Sequence, residues 1–497
     1  MTDRASHPLP PLLQSALSWL NAPAGSDALA ELPALRRHLA DIAELGLPPL
    51  QLLNVLELFH VRTGRIEAVL RPLLLEATVP PDRRLRTIGQ ALIEAHGLLA
   101  AGLLRVAREV EPEQLQRPNR QPHRVCTLAL DNRRHQLELA CLIATVQPAD
   151  LWLDAQRLYR LARATPLAVD GEQAQRIFKA MTAFACAQPQ SGTAREADFL
   201  AEYIGNFASA VLIGDERPAG DDAWYWLEEL RDLPPAAANR RPPPGGRLLY
   251  VDCRPLARLA EGQLAALATG ESPPRLGLPA RTAGKDYAAA LQHAAAHWAR
   301  PPQREHARHG SHRRLRVCTQ IGLLWRLLRG EADHAASEAI SEWMMRNESA
   351  GGFAIMHIGG PLAGVLPGSA LGVCPIDETR WSVCLVRWAR SDNPEHVELG
   401  LERLASGAHG VRIAFAGGEP VPALLLPPMP TQQRPETLLV ARGQYVPGNF
   451  TLLDDQAERL RIAPCIAGAP TVQTASVEVF AFVRQLTPAD AVAAASP

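Results

Sequence analysis

The sequence is almost without lysine. Lys179 and Lys285 are the only two, and arginine supplies the rest of the 51 basic residues. These meet 52 acidic residues, for a formal net charge of −1, so no overall field steers the chain towards nucleic acid polymers or anionic membranes, and any anion site must be local. No run of apolar residues reaches the roughly 18 that a spanning helix requires, so no membrane span is expected. Met1–Pro11 has no basic stretch followed by an apolar run, so no signal peptide is expected. The eight cysteines (Cys126, Cys141, Cys186, Cys253, Cys318, Cys374, Cys384 and Cys465) form no Cys-x-x-Cys pair, and most lie in apolar runs, where cysteine acts as a small hydrophobe. That pattern excludes a zinc ribbon and a disulfide framework, and it implies a reduced, cytoplasmic protein. Phosphate-loop, dinucleotide and nucleophilic-triad signatures are missing as well. Gly359-Gly360 and Gly364, for instance, lack the Lys-Ser/Thr that a phosphate loop needs. The expectation is a non-enzyme with no catalytic residue, no metal and no cofactor.

What is present is a folded, apolar-rich chain: 497 residues, 47% hydrophobic and 21% charged, enough for about three or four domains of roughly 100–200 residues. The first half reads as helices. Leu12, Leu13, Ala16, Leu17 and Leu20 recur at helical spacing. Ser26-Asp27 caps a helix that runs to Gly46, Pro48-Pro49 opens another, and Gly64 separates that one from Ile66–Ala77. Pro80-Pro81-Asp82 starts a long amphipathic run through Val110. Cys126–Val146, Leu151–Ala164, Glu172–Ala187 and Glu196–Ile213 complete the set. No repeat period emerges. His60, His96 and His123 are isolated in sequence and read as core or surface residues rather than ligands. The middle alternates: strands at Ala223–Leu227 and Arg247–Val251, a Pro-rich linker at Pro234–Gly246, helices at Pro255–Thr269 and Lys285–Ala299, and a boundary at Pro301-Pro302.

From Arg316 the period changes to two. Val317–Leu324, Trp343–Arg346, Phe353–Ile358, Leu371–Pro375, Trp381–Trp388 and Val397–Leu404 are strands separated by turn signals. Short strands at this spacing close most economically into a small barrel, which has no free edge. A second set follows at Val411–Phe415, Ala423–Leu426, Thr437–Ala441, Phe450–Leu453, Leu460–Ala463 and Val477–Val483. Val365–Leu371 and Tyr445–Thr451 share a layout in which a Pro-Gly turn feeds a strand. The expectation is two similar barrels in tandem.

One stretch stands apart: Trp343–Ile355, apolar at both ends with a polar, glycine-rich centre, Asn347-Glu348-Ser349-Ala350-Gly351-Gly352. It resembles the [Asp/Asn]-x-Ser-x-x-Gly signature of PilZ domains, bacterial receptors for cyclic di-GMP. The order of features also matches: a Pro367-Gly368 turn, then Val386-Arg387-Trp388, then Leu399-Gly400-Leu401-Glu402. The other half of that signature is Arg-x-x-x-Arg ahead of the first strand. Arg304-Glu305-His306-Ala307-Arg308 has the spacing but lies upstream, whereas the segment beside the strand reads His312-Arg313-Arg314-Leu315-Arg316. An insertion around Leu328–Ala339 accounts for the long gap between the two halves. The resemblance covers about Arg304–Ala405, and a helical half before a PilZ-like half is similar to a proteobacterial family of PilZ-containing proteins.

The resemblance implies cyclic di-GMP as the ligand, held by Arg308, Arg313, Arg314, Arg316, Asn347, Ser349 and Gly352. Guanidinium groups suit both halves of such a molecule, gripping phosphate with two donors and pairing with guanine O6 and N7. Asn347 and Ser349 offer hydrogen bonds, and Gly352 keeps the backbone low. Trp343 and Trp388 suit barrel packing better than base stacking. His306, His309 and His312 lack a carboxylate or cysteine to complete a metal set. The expected fold class is α+β multidomain: an irregular all-α N-terminal half (1–213), a mixed α/β connecting segment (214–302), a PilZ-like six-stranded β-barrel (303–405), a second β-barrel-like domain (406–487) and a disordered tail (488–497). The expected function is a cyclic di-GMP receptor in signal transduction, with a protein partner on the helical half. The alternative is a degenerate PilZ-like scaffold that binds no nucleotide.

Overall fold

The computed structural model describes residues 9–23, 25, 27–109, 122–164, 169–220, 222–243, 245–303, 308–331, 338–393, 395–430, 433–454 and 460–485. Arg304–Ala307 and the tail 488–497 lie outside them, so the Arg304 end of the Arg-x-x-x-Arg match and the expected disorder of the tail are not described. The chain forms two compact units. One comprises Met1–Ala77, Pro81–Pro189 and Ala194–Gln303; the other comprises Thr78–Pro80, Gln190–Thr193 and Arg304–Pro497.

The first unit carries ten helices among the described residues: α1 (Pro11–Asn21), α2 (Ala28–Glu44), α3 (Pro49–Leu74), α4 (Arg83–Glu109), α5 (Pro122–Leu142), α6 (Leu151–Ala164), α7 (Val169–Cys186), α8 (Ala194–Phe207), α9 (Arg254–Ala268) and α10 (Lys285–Ala299). Their starts follow local chemistry. Asp27 accepts from the amides of Leu29 and Ala30 at the head of α2, and proline opens α1 and α3. Gly64 does not end a helix: α3 runs through it unbroken. An interior glycine costs about 1 kcal/mol, and burial of Phe59, Ile66 and Leu70 on the same helix outweighs it. The helix expected to reach Ile213 stops at Phe207, and Leu212–Gly214 becomes strand β1 of a small sheet with β2 (Tyr225–Glu228), β3 (Ala236–Ala237) and β4 (Leu248–Asp252), in the order β1-β4-β2-β3. By length and composition α4 alone among the described helices is apolar enough to cross a membrane; its apolar face, including Leu92, Leu99 and Leu103, packs into the core of this unit.

His60 and His96 are not isolated. His96 on α4 lies 2.8 Å from the Glu67 carboxylate of α3 and 2.7 Å from the Asn132 side chain of α5, which also touches His60.

The second unit carries β5 (His309–Gly310), β6 (Arg314–Cys318), helix α11 (Ile321–Leu328), β7 (Ser341–Ser349), β8 (Gly352–Gly359), β9 (Ala370–Pro375), β10 (Ser382–Asn393) and β11 (His396–Ala405). The order β6-β7-β8-β11-β10-β9 returns to β6 and closes a six-stranded antiparallel barrel, with β5 added beside β7. β12 (His409–Phe415), β13 (Val421–Leu426), β14 (Thr437–Ala441), β15 (Gly448–Asp454), β16 (Arg461–Gln473) and β17 (Val477–Arg484) close a second barrel, in the order β12-β13-β14-β17-β16-β15. Numbered from its own first strand, each barrel has the same neighbour order. The shared Pro-Gly layout falls at corresponding places, ahead of β9 and at the start of β15, and Gly368 and Gly448 adopt left-handed backbone there (φ 83° and 110°).

The expected strand Val317–Leu324 is a correction. β6 ends at Cys318, and Ile321–Leu328 is helical. A short, mostly apolar run fits a buried strand or a buried helix equally well by pattern. Here α11 joins the two barrels: the Trp325 indole donates to the Val411 carbonyl at 2.7 Å, and Leu324 and Trp325 share a core with Leu404, Leu424, Leu439 and Val479.

Candidate functional site

The β7–β8 hairpin builds the site. Trp343 and Met345 alternate into the barrel core. The Trp343 indole donates to Ser341 Oγ at 2.9 Å, so this ring is a core element rather than a stacking platform. A bulge between Met345 and Asn347 shifts the alternation, and Asn347 pairs with Ala354. The Asn347 side-chain oxygen is buried and has no hydrogen-bond partner among the described residues. Two residues further on, Ser349 pairs with Gly352 and its hydroxyl donates to the Gly352 carbonyl at 3.0 Å, closing the turn. Gly352 is required sterically, since a methyl carbon there would lie 2.0 Å from the Leu401 carbonyl oxygen of β11.

The short strand β5 brings an arginine to this turn. His309 pairs with Glu348 and Gly310 with Asn347, so Arg308 continues the antiparallel register towards Ser349. Arg308 is exposed, and its guanidinium forms no ion pair with any described residue. The structure thus gathers Arg308, Asn347, Ser349 and Gly352.

Arg313, Arg314 and Arg316 are engaged elsewhere. Arg313 grips the β9–β10 turn, bonding Asp377 at 3.0 Å and Glu378 at 2.9 Å. Those hydrogen bonds hold the Asp377 carboxyl below its usual range. Arg314 pairs with Glu342. Arg316 donates to the Glu378 carbonyl at 2.7 Å and lies over the Trp381 ring. The physical reason is strand alternation: Leu315 and Val317 fill the core, so Arg314 and Arg316 stand on the outer face against β7 and β9.

Two further arginines border the hairpin, and neither carries a local signal in its own segment, because both arrive from distant parts of the chain. Arg403, at the end of β11, donates to Glu348 at 2.8 Å, lies over the Phe353 ring, and its amide bonds the Gly351 carbonyl at 2.9 Å. Arg434, from the β13–β14 connection of the second barrel, pairs with Glu402, the cross-strand partner of Gly352. Burial opposes the Glu402 charge, but Arg387 and Arg434 outweigh it and hold the carboxyl below its ordinary range.

Among the curated proteins, none matches the chain. Residues 14–218 match the family model described as "Cyclic-di-GMP receptor FimW, N-terminal domain"; the two barrels lie outside the matched residues. Over most of its helical unit, therefore, the chain is similar to a family of cyclic-di-GMP receptors.

Proposed function

We propose that the chain is a cytoplasmic, non-enzymatic receptor whose first barrel, a PilZ-like domain, binds cyclic di-GMP over the Asn347–Gly352 turn, while the helical half carries the protein partner. The observation that carries this reading is the β5–β7 pairing, which lays an exposed arginine beside Asn347 and Ser349. An anionic dinucleotide supplies what these groups lack. Phosphate gives Arg308 a bidentate acceptor, and a guanine edge supplies N–H donors for the unpartnered Asn347 oxygen. The family matched by the helical half supports the same ligand. Segment 308–313 runs along β7, and a shift of this segment on binding is the step that couples ligand to output.

A second reading, a scaffold of the same fold that binds no nucleotide, is favoured by one observation: Arg313, Arg314 and Arg316 are already bonded to acidic or carbonyl groups of the barrel itself. Titration calorimetry of the full-length chain with cyclic di-GMP separates the two. Saturable heat in the micromolar range supports the receptor, and no heat at tens of micromolar ligand with folded protein supports the scaffold.

A further inference from the structure

The helical unit contains a cleft of about 640 Å³ between α3, α5, α7 and α8, with Arg281 at its rim. Five carboxylates face it (Glu67, Asp131, Glu138, Asp198 and Glu202) against four guanidiniums (Arg71, Arg134, Arg176 and Arg281). Arg71 bridges Glu67, Glu138 and Asp198 at 2.8, 2.9 and 2.6 Å. Arg134 bridges Asp131 and Glu138 at 2.7 and 2.6 Å. Arg176 is used differently, donating to the carbonyls of Gly205 and Asn206. Arg281 pairs with Asp198 and Glu202 at the rim, and Glu67, Asp131 and Glu138 form an acidic floor.

At that floor, donor atoms of Glu67, His96 and His135 all lie within 4.8 Å of one another. Glu67 Oε2 is 2.8 Å from both His96 Nε2 and His135 Nδ1. The His96 tautomer follows from its neighbours. Asn132 Nδ2 must donate to the Leu128 carbonyl (2.7 Å), so Asn132 Oδ1 accepts, and His96 Nδ1 carries the hydrogen that it receives at 2.7 Å. His96 Nε2 then faces the Glu67 carboxylate at 2.8 Å, and a proton or a metal ion must sit between the two. His135 Nδ1 is buried 2.8 Å from the same oxygen, and no other described residue partners it. Glu67 and His135 border the cleft, so a fourth position is open to it.

We propose that Glu67, His96 and His135 bind a first-row divalent cation of the zinc or cobalt type, through the Glu67 carboxylate, His96 Nε2 and His135 Nδ1, with the remaining position facing the cleft. Two imidazoles and one carboxylate are a ligand set such ions accept, and Asn132 is the outer partner that fixes a ligating histidine. The ion replaces the proton held between His96 Nε2 and Glu67. His135 keeps one proton, on Nε2, where Asp131 Oδ2 stands 3.6 Å away as acceptor. Arg134, now 2.9 Å from that nitrogen, turns away to the Asp131 and Glu138 oxygens that already hold it.

The test is titration of metal-free, full-length protein with Co²⁺, read by visible d–d absorption. One Co²⁺ per chain, displaced by Zn²⁺, is expected. His135→Gln should weaken binding at least tenfold, and Asn132→Leu, which removes the outer partner, by about 10–100-fold, each with helical dichroism retained. His309 and His312 are exposed histidines on the barrel, and His309→Ala/His312→Ala should leave the band intact, a readout that stands even where a core variant fails to fold. Absence of a band in the wild type, a band undiminished by His135→Gln and Asn132→Leu, or a band lost in the barrel double variant overturns the assignment.

Discussion

Gly352 allows a test of the hairpin geometry that needs no ligand. A methyl group at this position would sit 2.0 Å from the Leu401 carbonyl oxygen and 3.0 Å from Glu402 Cα, where contact normally settles at about 3.5 Å. Both obstructing atoms are backbone, so no rotamer change relieves them, and β8 must withdraw from β11 by about 1.5 Å at its first residue, taken from the same normal contact distance. That withdrawal breaks the Arg403 amide–Gly351 carbonyl bond (2.9 Å) and the Gly352–Glu402 pairing. A lost hydrogen bond costs about 0.5–1.5 kcal/mol and overpacking against backbone about 1–3 kcal/mol, so Gly352→Ala should cost about 2–4 kcal/mol. For a unit of this size that is a fall of about 5–15 °C in midpoint. Gly359→Ala, at the other end of the same strand, is the control. A methyl there meets nothing within 4 Å, and the change should stay within about 0.5 kcal/mol. Calorimetric unfolding of the full-length chain compares the three proteins. Equal midpoints for the two alanine variants would refute the packing derived for the turn.

The remaining predictions concern the arginines and Ser349. Arg308→Ala should weaken cyclic di-GMP binding by about 1–3 kcal/mol, the range for a lost charge-assisted hydrogen bond, while Arg313→Ala leaves affinity nearly unchanged; calorimetry showing the reverse order would move the clamp to the β9–β10 side. Ser349→Ala should weaken binding by about 1 kcal/mol and lower the barrel's unfolding midpoint slightly, because its hydroxyl also closes the turn. Arg434→Ala removes a charge that keeps the Glu402 carboxyl below its ordinary range. A depressed carboxylate contributes stability that is present above the unfolded value and lost as pH falls through the folded one. The stability gap between wild type and Arg434→Ala in urea should therefore be widest at neutral pH and close below about pH 4; a gap independent of pH would show that Arg434 acts by packing alone.

How far the sequence reveals this molecule depends on whether the signal is local. The strands of both barrels were legible because runs such as Val397–Leu404 alternate, with Val397, Leu399 and Leu401 set between Glu398, Gly400 and Glu402, and alternation is a property of adjacent residues. Helix α11 was not, because Ile321–Leu328 holds a single polar residue, Arg326, too few to set a period. The hairpin residues Asn347, Ser349 and Gly352 were legible from their spacing. Arg403, Arg434 and the Glu67–His96–His135 cluster were not, because each is assembled from separate elements. One trace was available: Asp131, His135 and Glu138 recur at i, i+4 and i+7 and so share one face of α5, which marks a polar stripe on a helix otherwise read as core.

The repeated barrel shows why the candidate turn belongs to the first barrel. In both barrels the connection between the second and third strands occupies the same topological place. In the first it is the tight turn after Ser349, held by the Ser349–Gly352 bond and roofed by β11. In the second it is the longer Pro-rich connection between β13 and β14, with no counterpart of Asn347 or Ser349. That connection is not idle. It sends Arg434 across to Glu402 and to the Arg403 carbonyl at 3.2 Å, bracing the strand against which Gly352 packs. The second barrel thus holds β11 in position at the first barrel's hairpin, and loosening the brace should reach the hairpin without touching any of its own residues.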